Sequence, residues 1–225
     1  MSPLSVLDAY WPSAAAFAAF GLLHSIGARE SGKDTLARWF GRFFVDHFWR
    51  LVYCVLSFAA LYVGVARLHW ARNPDYDVWL IVYPEWLWQL VTVLHLGSIA
   101  LLYAAFVQSD YLEFLGFRQT AQGIMILCGR PPPDPQPELF GTHRLVVRGV
   151  YRWVRHPMLL GGLVFLLTSG PSLSNIVYTL MYAAYMLIGG YYEERRMVRI
   201  FGGDYRRYQN RVGAYIPGVR WPAAD

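Results

Sequence analysis

Charged residues are scarce in this 225-residue chain, at 16%, whereas 56% of the residues are hydrophobic and 17% are aromatic. A soluble domain of this length needs more polar surface than that composition supplies, so the sequence is typical of an integral membrane protein. Cysteine is also rare, and Cys54 and Cys128 fall in a predicted span and a predicted cytoplasmic loop. These two cysteines therefore predict neither a disulfide nor a metal site.

Four windows of the sequence contain no Asp, Glu, Lys or Arg. They are Ala9 to Ala28, Leu51 to Ala66, Trp86 to Ser109 and Pro157 to Tyr192. The fourth window is 36 residues long and is interrupted at Gly170-Pro171-Ser172, which is typical of a helical hairpin. The first window lacks a basic leader, which favours a retained span over a cleaved signal peptide. We therefore predict an all-α integral membrane fold with about five transmembrane helices.

The basic residues lie between these windows in a pattern that predicts the orientation. Of the 20 Lys and Arg residues, five lie at positions 28–50, six at 107–156 and seven after residue 192. Such residues accumulate on the cytoplasmic side, which predicts an external amino terminus and a cytosolic carboxyl terminus in the bacterial inner membrane. The net charge of +5 then reflects topology and contact with lipid headgroups, and it indicates no nucleic acid partner.

A proline-rich stretch at 130–137 separates a three-helix portion, residues 1–129, from the hairpin and tail at 138–225. It is typical of an extended connector, because repeated prolines exclude a continuous helix. The spans must still pack together in the bilayer. We therefore predict a single membrane domain over residues 1–225, whose oligomeric state the sequence leaves open.

Two polar clusters flank the hairpin, Arg155-His156-Pro157 before it and Glu193-Glu194-Arg195-Arg196 after it. A hairpin returns both clusters to the same membrane face. Pro157 suits a first helical turn and leaves amide groups free, so the first cluster is a candidate carboxylate-binding corner. The alternative is that Arg155 is a positive-inside anchor and His156 a polar cap.

The acidic pair Glu193-Glu194 lies at the end of a span where the helix dipole and the local charge bias both disfavour negative charge. One explanation is pairing with nearby arginines. The other is recognition of a cationic or hydroxyl-bearing ligand. The tail that follows is amphipathic. It folds over this site as a lid, lies on anionic lipid, or does both.

Several of these residues match a family pattern. The match comprises the run His143 to Pro157, then Glu193-Glu194, Phe201-Gly202, Tyr205, Tyr208 and Ile216-Pro217. This order and spacing resemble the isoprenylcysteine carboxyl methyltransferase superfamily, which are membrane-embedded enzymes that use S-adenosylmethionine. The amino-terminal half resembles a subgroup with methanethiol S-methyltransferases, NnrU-type proteins and nurim. Those weaker motifs are His24-Ser25, Ala28-Arg29 and residues 114–119.

The resemblance implies a cytosolic-face cofactor pocket built by the hairpin and tail. Carried over by position, the cofactor contacts fall on Gln136, His143, Arg144, Leu145, Val146, Tyr151, His156, Pro157, Met158, Leu159, Glu193 and Glu194. We predict positioning roles in catalysis for Arg155, His156 and Glu193, with Arg155 and His156 on the cofactor carboxylate and Glu193 on its ribose or amino group. No metal is implied.

Two positions depart from the family pattern. Leu159 replaces a tyrosine that is common after the His-Pro pair, so a contact from that ring is lost. Gly189 replaces the arginine that eukaryotic members place four residues before the cofactor glutamate and that meets the substrate carboxylate. The second difference disfavours an isoprenylcysteine carboxylate as acceptor.

The acceptor site is less defined by the sequence. His24 is either a general base for a thiol or a hydrogen-bonded core histidine. Arg118 and Gln119 either border the acceptor pocket or anchor the chain at the membrane surface. We predict an S-adenosylmethionine-dependent S-methyltransferase for a small or lipophilic thiol such as methanethiol. The alternatives are carboxyl methylation of isoprenylcysteine or a related lipophilic acceptor, and a non-enzymatic nurim-like membrane protein.

Overall fold

The computed structural model describes residues 3–71, 78–130 and 145–219, and the regular structure in these ranges is helical apart from two isolated β-bridges. This confirms the all-α prediction for the described part of the chain. The chain divides into two compact units, Met1–Tyr76 with Asp110–His143 and Asp77–Ser109 with Arg144–Asp225. The third predicted span therefore belongs to the same unit as the hairpin. The single-domain organisation stays a prediction.

The first unit is built around two long helices that pack against each other, α1 (Pro3–Ala28) and α4 (Trp49–Ala71). Gly27 permits their close approach, because a Cβ there would lie 3.3 Å from Cβ of Tyr53. The indole of Trp49 donates a hydrogen bond to the carbonyl of Gly27 at 3.0 Å. The shorter helices of this unit are α2 (Glu30–Phe40), α3 (Arg42–His47), α6 (Tyr111–Phe114) and α7 (Phe117–Leu127).

The second unit contains α5 (Glu85–Gln108), α8 (Pro157–Leu167), α9 (Leu173–Phe201) and α10 (Gly203–Gln209), with a short 3-10 turn at Gly149–Arg152. α5 packs on α8, and α8 packs on α9. The contact of α5 with α8 is close at Gly161, where a Cβ would lie 2.9 Å from Cγ of Leu102. α9 continues nine residues beyond Tyr192, so it carries Glu193 and Glu194 on a rigid helix.

The turn between α8 and α9 coincides with the interruption predicted at 170–172. The Ser172 hydroxyl accepts a hydrogen bond from the amide of Asn175 and so caps α9. The Asn175 side chain donates to the carbonyls of Leu166 and Gly170, both at 2.7 Å. The first of these carbonyls lies in the last turn of α8, and the second lies in the connecting turn. The two ends of the turn are therefore joined by one side chain.

Two helices in the described residues, α5 and α9, are long and apolar enough to cross a membrane. Shorter apolar helical segments lie at Trp49–Val63 and Pro157–Leu167. α1 overlaps the first uncharged window and α4 the second. The helices thus begin and end near the predicted windows, while the number of five crossings stays a prediction.

Candidate functional site

The carboxy-terminal tail holds the backbone just before α8. The amide of Arg155 donates to the carbonyl of Gly213 at 2.9 Å, and the amide of His156 donates to the carbonyl of Ala214 at 3.0 Å. Val154 forms a parallel β-bridge with Gly213 and is almost fully buried. The tail therefore fixes the positions from which the Arg155 and His156 side chains extend.

Glu194 is the centre of a buried polar cluster. Its Oε1 accepts hydrogen bonds from Nε of Arg155 at 2.9 Å and from the hydroxyl of Tyr205 at 2.8 Å. Its Oε2 accepts from Nη2 of Arg155 at 3.0 Å and from Nε2 of Gln209 at 2.6 Å. Nε2 of His156 lies 2.7 Å from Oε1. With five contacts on two oxygens, this carboxylate is saturated by protein groups.

The guanidinium of Arg155 also makes its hydrogen bonds to protein groups. Besides its paired bonds to Glu194, its Nη1 donates to the carbonyls of Gln209 and Val212. Only 3% of its side chain is exposed. The bidentate pair satisfies both buried charges, which is the condition under which a buried ion pair is tolerated. Arg155 thus ties the start of α8 to α9 and to the tail.

His156 lies between the two carboxylates, just before α8. Its Nε2 faces Glu194, and its Nδ1 lies 3.4 Å from Oε2 of Glu193. Burial by itself lowers the pKa of a histidine, but hydrogen bonds and charge interactions with Glu193 and Glu194 raise the pKa of His156 to about 9. The side chain is therefore an imidazolium at neutral pH and donates from both ring nitrogens.

This raised pKa predicts a pH dependence of stability. The folded protein binds the His156 proton more tightly than the unfolded chain, so the stabilisation is complete below about pH 6.5 and is lost as pH rises through about 9. The full effect is of the order of 3 kcal/mol. Thermal denaturation in detergent should show the melting temperature of the wild type falling across this interval. His156→Gln should reduce that fall, and an equal fall in both proteins would contradict the assignment.

Glu193 differs from its neighbour in exposure. Its side chain is 53% exposed, whereas that of Glu194 is 11% exposed. Successive residues on a helix point about 100° apart, so one carboxylate of the pair faces the buried cluster while the other faces its edge. Glu193 therefore has the more exposed side chain of the pair, and its contact with a ligand stays a prediction.

Tyr151 secures the 3-10 turn ahead of the cluster. Its hydroxyl donates to the carbonyl of Ala105 at 3.3 Å, and its own carbonyl accepts a hydrogen bond from the hydroxyl of Tyr208. The next amide back, that of Val150, donates to Oε1 of Gln108 at 3.1 Å. The last turn of α5 and helix α10 therefore hold this turn together.

These residues lie in a part of the chain that matches a known protein family. A family model described as NnrU protein matches residues 14–215, which include the hairpin, the acidic pair and most of the tail. The chain belongs to the NnrU protein family. The residues that form the cluster around Glu194 all lie within the matched region of this NnrU-family protein.

Curated relatives of this NnrU-family protein include several enzymes. It is 32% identical to the methanethiol S-methyltransferase of Pseudomonas deceptionensis over 203 residues, which cover 89% of this chain and 70% of that protein. It is 29% identical to the methanethiol S-methyltransferase of Mycobacterium tuberculosis, over 90% of this chain and 75% of the relative. No solved structure matches the chain.

A second, more distant similarity covers the carboxy-terminal part. The protein-S-isoprenylcysteine O-methyltransferase of Schizosaccharomyces pombe is 32% identical over 81 residues, or 33% of this chain and 34% of that enzyme. These relatives confirm the superfamily and the subgroup that the sequence resembles. Together with the apolar helices α5 and α9, they identify the NnrU-family protein as a membrane protein.

Not every residue predicted for the site is described. Gln136, His143 and Arg144 lie outside the described residues. Leu145 and Val146 are partly buried and precede the 3-10 turn, while Pro157, Met158 and Leu159 form the first turn of α8. The structure thus brings Arg155, His156, Glu193 and Glu194 together. Their cofactor contacts stay predictions.

The acceptor candidates lie in the first unit. The ring of His24 on α1 is 5.8 Å from that of Phe20 and 5.9 Å from that of Tyr53. Nη2 of Arg118 pairs with Asp110 at 2.8 Å. Gln119 is buried, and its Nε2 donates to the carbonyl of Glu113 at 3.4 Å. A catalytic or substrate-binding role for each stays a prediction.

Three residues that contact the cluster or the 3-10 turn have no role predicted from the sequence. Gln209 donates to Glu194, Gln108 accepts from the 3-10 turn, and the ring of Tyr215 lies over His156. Tyr205 and Gln209 are four residues apart on α10, a spacing that puts both on one helix face. That spacing was available as a signal for Gln209. No local pattern identifies Gln108, because its contact is 42 residues away in the chain.

Proposed function

We propose that this protein is an S-adenosylmethionine-dependent methyltransferase that methylates the sulfur of a small or lipophilic thiol. The observation that carries the proposal is its similarity to methanethiol S-methyltransferases over about nine tenths of the chain. The cluster formed by the start of α8 and the carboxy-terminal part of α9 supports it, because these segments carry the residues that the superfamily resemblance assigns to the cofactor.

The charges at the start of α8 and on the carboxy-terminal part of α9 fit the cofactor. S-adenosylmethionine carries an ammonium, a sulfonium, a carboxylate and a ribose, so it needs acidic and anion-binding groups at one site. Glu193 offers the carboxylate of a half-exposed side chain to the amino group or ribose. The amide of Leu160 already donates to the carbonyl of His156. The amides of Met158 and Leu159 occupy first-turn positions, which a helix start leaves without intrahelical partners, and they offer donors to the carboxylate. Nδ1 of His156 contacts the Glu193 carboxylate and orients it.

Arg155 receives an indirect role in this proposal. Four hydrogen bonds hold its guanidinium on Glu194, Gln209 and Val212, which leaves little capacity for a ligand. We therefore assign carboxylate binding to the α8 amides and treat Arg155 and Glu194 as positioning residues. Their ion pair sets the distance between the start of α8 and the end of α9.

The chemistry requires positioning rather than a protein nucleophile. The bound cofactor supplies an electrophilic methyl group on a sulfonium. The protein has to hold an acceptor thiolate about 3 Å from that carbon and in line with the bond that breaks. Exclusion of water by the apolar helices strengthens the attraction between opposite charges. We keep His24 as the candidate base for the thiol and Arg118 and Gln119 as candidate acceptor contacts.

A thiol is preferred over an isoprenylcysteine carboxylate for two reasons. The similarity to the isoprenylcysteine enzyme covers one third of the chain. Gly189 also presents no basic group, and a Cβ added there would meet no atom within 4 Å. A carboxylate acceptor would therefore find no positive partner at this position of α9.

We further propose that the protein crosses the bacterial cytoplasmic membrane about five times. The amino terminus is then outside, and the cofactor pocket and carboxyl terminus face the cytosol. The pattern of basic residues supports this orientation. The partners are lipid and a small or lipophilic acceptor.

The test uses the full chain purified in detergent. Calorimetry should show saturable binding of S-adenosylmethionine, and incubation with methanethiol should release dimethyl sulfide into the headspace. S-farnesylcysteine serves as the competing acceptor and should gain no methyl ester. Methylation of farnesylcysteine alone would replace the thiol proposal with the carboxylate alternative. Absence of cofactor binding by folded protein would favour a non-enzymatic, nurim-like membrane protein.

A further inference from the structure

Tyr215 connects the tail to both helices of the cofactor site. Its hydroxyl donates to the carbonyl of Met186 on α9 at 3.2 Å. Its ring centroid lies 5.3 Å from that of His156, with an interplanar angle of 30°. The preceding residue, Ala214, accepts the hydrogen bond of the His156 amide. One tail residue thus contacts α9 and packs at a tilt against the imidazole ring.

Gly190 makes this position of Tyr215 available. A Cβ at residue 190 would lie 1.8 Å from the Tyr215 hydroxyl oxygen and 3.1 Å from its Cζ. Any other side chain would therefore displace the ring. Gly189, the next residue on the same helix, provides a contrast, because a Cβ there would meet nothing within 4 Å. The requirement for glycine at 190 is steric and specific to Tyr215.

The imidazole of His156, against which Tyr215 packs, sets the position of the Glu193 carboxylate. His156 reaches Glu194 through Nε2 and Glu193 through Nδ1, so its ring plane is defined by two contacts. The Nδ1 contact is the longer, at 3.4 Å, and a small tilt of the ring would break it. The ring of Tyr215 packs against the imidazole of His156 and opposes such a tilt.

We propose that Tyr215 is a positioning residue for the methyl donor and that Gly190 leaves the space on α9 that the Tyr215 side chain occupies. Tyr215 acts through His156, whose imidazolium holds Glu193 toward the ligand. This inference rests on the proposed function, since it concerns the orientation of a group assigned to the donor.

Four variants test the inference, with donor affinity and melting temperature as the readouts. Gly190→Ala places a methyl group against the Tyr215 hydroxyl, while Gly189→Ala adds the same group where there is space. Tyr215→Phe removes the oxygen that the new methyl group meets. The double variant Gly190→Ala/Tyr215→Phe therefore leaves a contact of about 3.1 Å, which a small shift relieves.

We expect Gly190→Ala to weaken S-adenosylmethionine binding by about tenfold or more, and Gly189→Ala to change it by less than about twofold. The double variant should bind more tightly than Gly190→Ala, and its melting temperature should also recover. Such a rescue is a favourable coupling energy between two contacting residues. A purely structural loss at Gly190 would add to the effect of Tyr215→Phe instead.

Three results would overturn the inference. Wild-type affinity in a folded Gly190→Ala protein would show that the position of Tyr215 against Gly190 does not affect donor binding. A double variant no better than Gly190→Ala would show that the clash with Tyr215 is not the cause. Absence of donor binding by the wild type would remove the proposed function as well, which separates that failure from the first two.

Discussion

Glu194→Ala should lower the free energy of unfolding by about 3–5 kcal/mol, because it leaves the guanidinium of Arg155 buried without its counter-ion. The same change removes the acceptor of Tyr205 and Gln209, whose donors lie in the buried cluster. For a chain of this size, the loss corresponds to a fall of roughly 10 °C in melting temperature. Thermal denaturation of the purified protein in detergent measures it.

Glu193→Ala is the matched control, because it removes the same group from the adjacent residue of the same helix. Its half-exposed side chain makes a longer contact with His156, so the expected loss of stability is smaller than that of Glu194→Ala. Equal destabilisation by the two variants would contradict the division of roles between the carboxylates. So would a Glu194→Ala protein that melts at the wild-type temperature.

The sequence predicted the helices of the second unit well, because the signals there are local. A long uncharged window, a turn at Gly170-Pro171-Ser172 and a proline at the first helical position all act over a few residues. The structure begins α8 at Pro157 and resumes with α9 at Leu173. The interruption and the first-turn proline are where the sequence pattern located them.

The roles within the polar clusters were harder to predict. The sequence indicated that Glu193 and Glu194 return toward His156, but it did not indicate which carboxylate faces inward. That depends on the rotation of α9 about its axis, which is set by packing against α8 and α10. Two of the donors to Glu194, Tyr205 and Gln209, come from α10, and only their spacing of four residues marked Gln209. Arg155 was predicted to face a ligand, whereas it donates to four protein acceptors.

The structure separates the two members of the acidic pair, for which the sequence left two interpretations open. Glu194 pairs with an arginine, as the structural explanation required, and that arginine is Arg155 rather than the adjacent Arg195. Glu193 keeps a half-exposed side chain, and its recognition of a ligand stays a prediction. In the proposed function, the acidic pair supplies one residue for positioning and one for binding. The ion pair of the first fixes the orientation of the second.

Glu193→Gln should weaken S-adenosylmethionine binding by roughly 10–100-fold, because a hydrogen bond to a charged group contributes about 1.5–3 kcal/mol. The amide keeps the shape of the side chain, and its position at the edge of the cluster leaves the fold intact. Calorimetry on the wild type and the variant measures the loss, and their equal melting temperatures serve as the folding control. Unchanged affinity in the folded variant would contradict a ligand role for Glu193.

S-adenosylhomocysteine identifies the part of the ligand that Glu193 meets. This product keeps the amino group, carboxylate and ribose but has lost the methyl group and the positive charge on sulfur. If Glu193 holds the amino group or ribose, Glu193→Gln weakens both ligands by the same factor. A loss confined to S-adenosylmethionine would contradict that assignment, because the carboxylate would then be paired with the sulfonium. In that case Glu193 would favour the reactant charge that disappears on methyl transfer, and the variant would bind product as well as the wild type does.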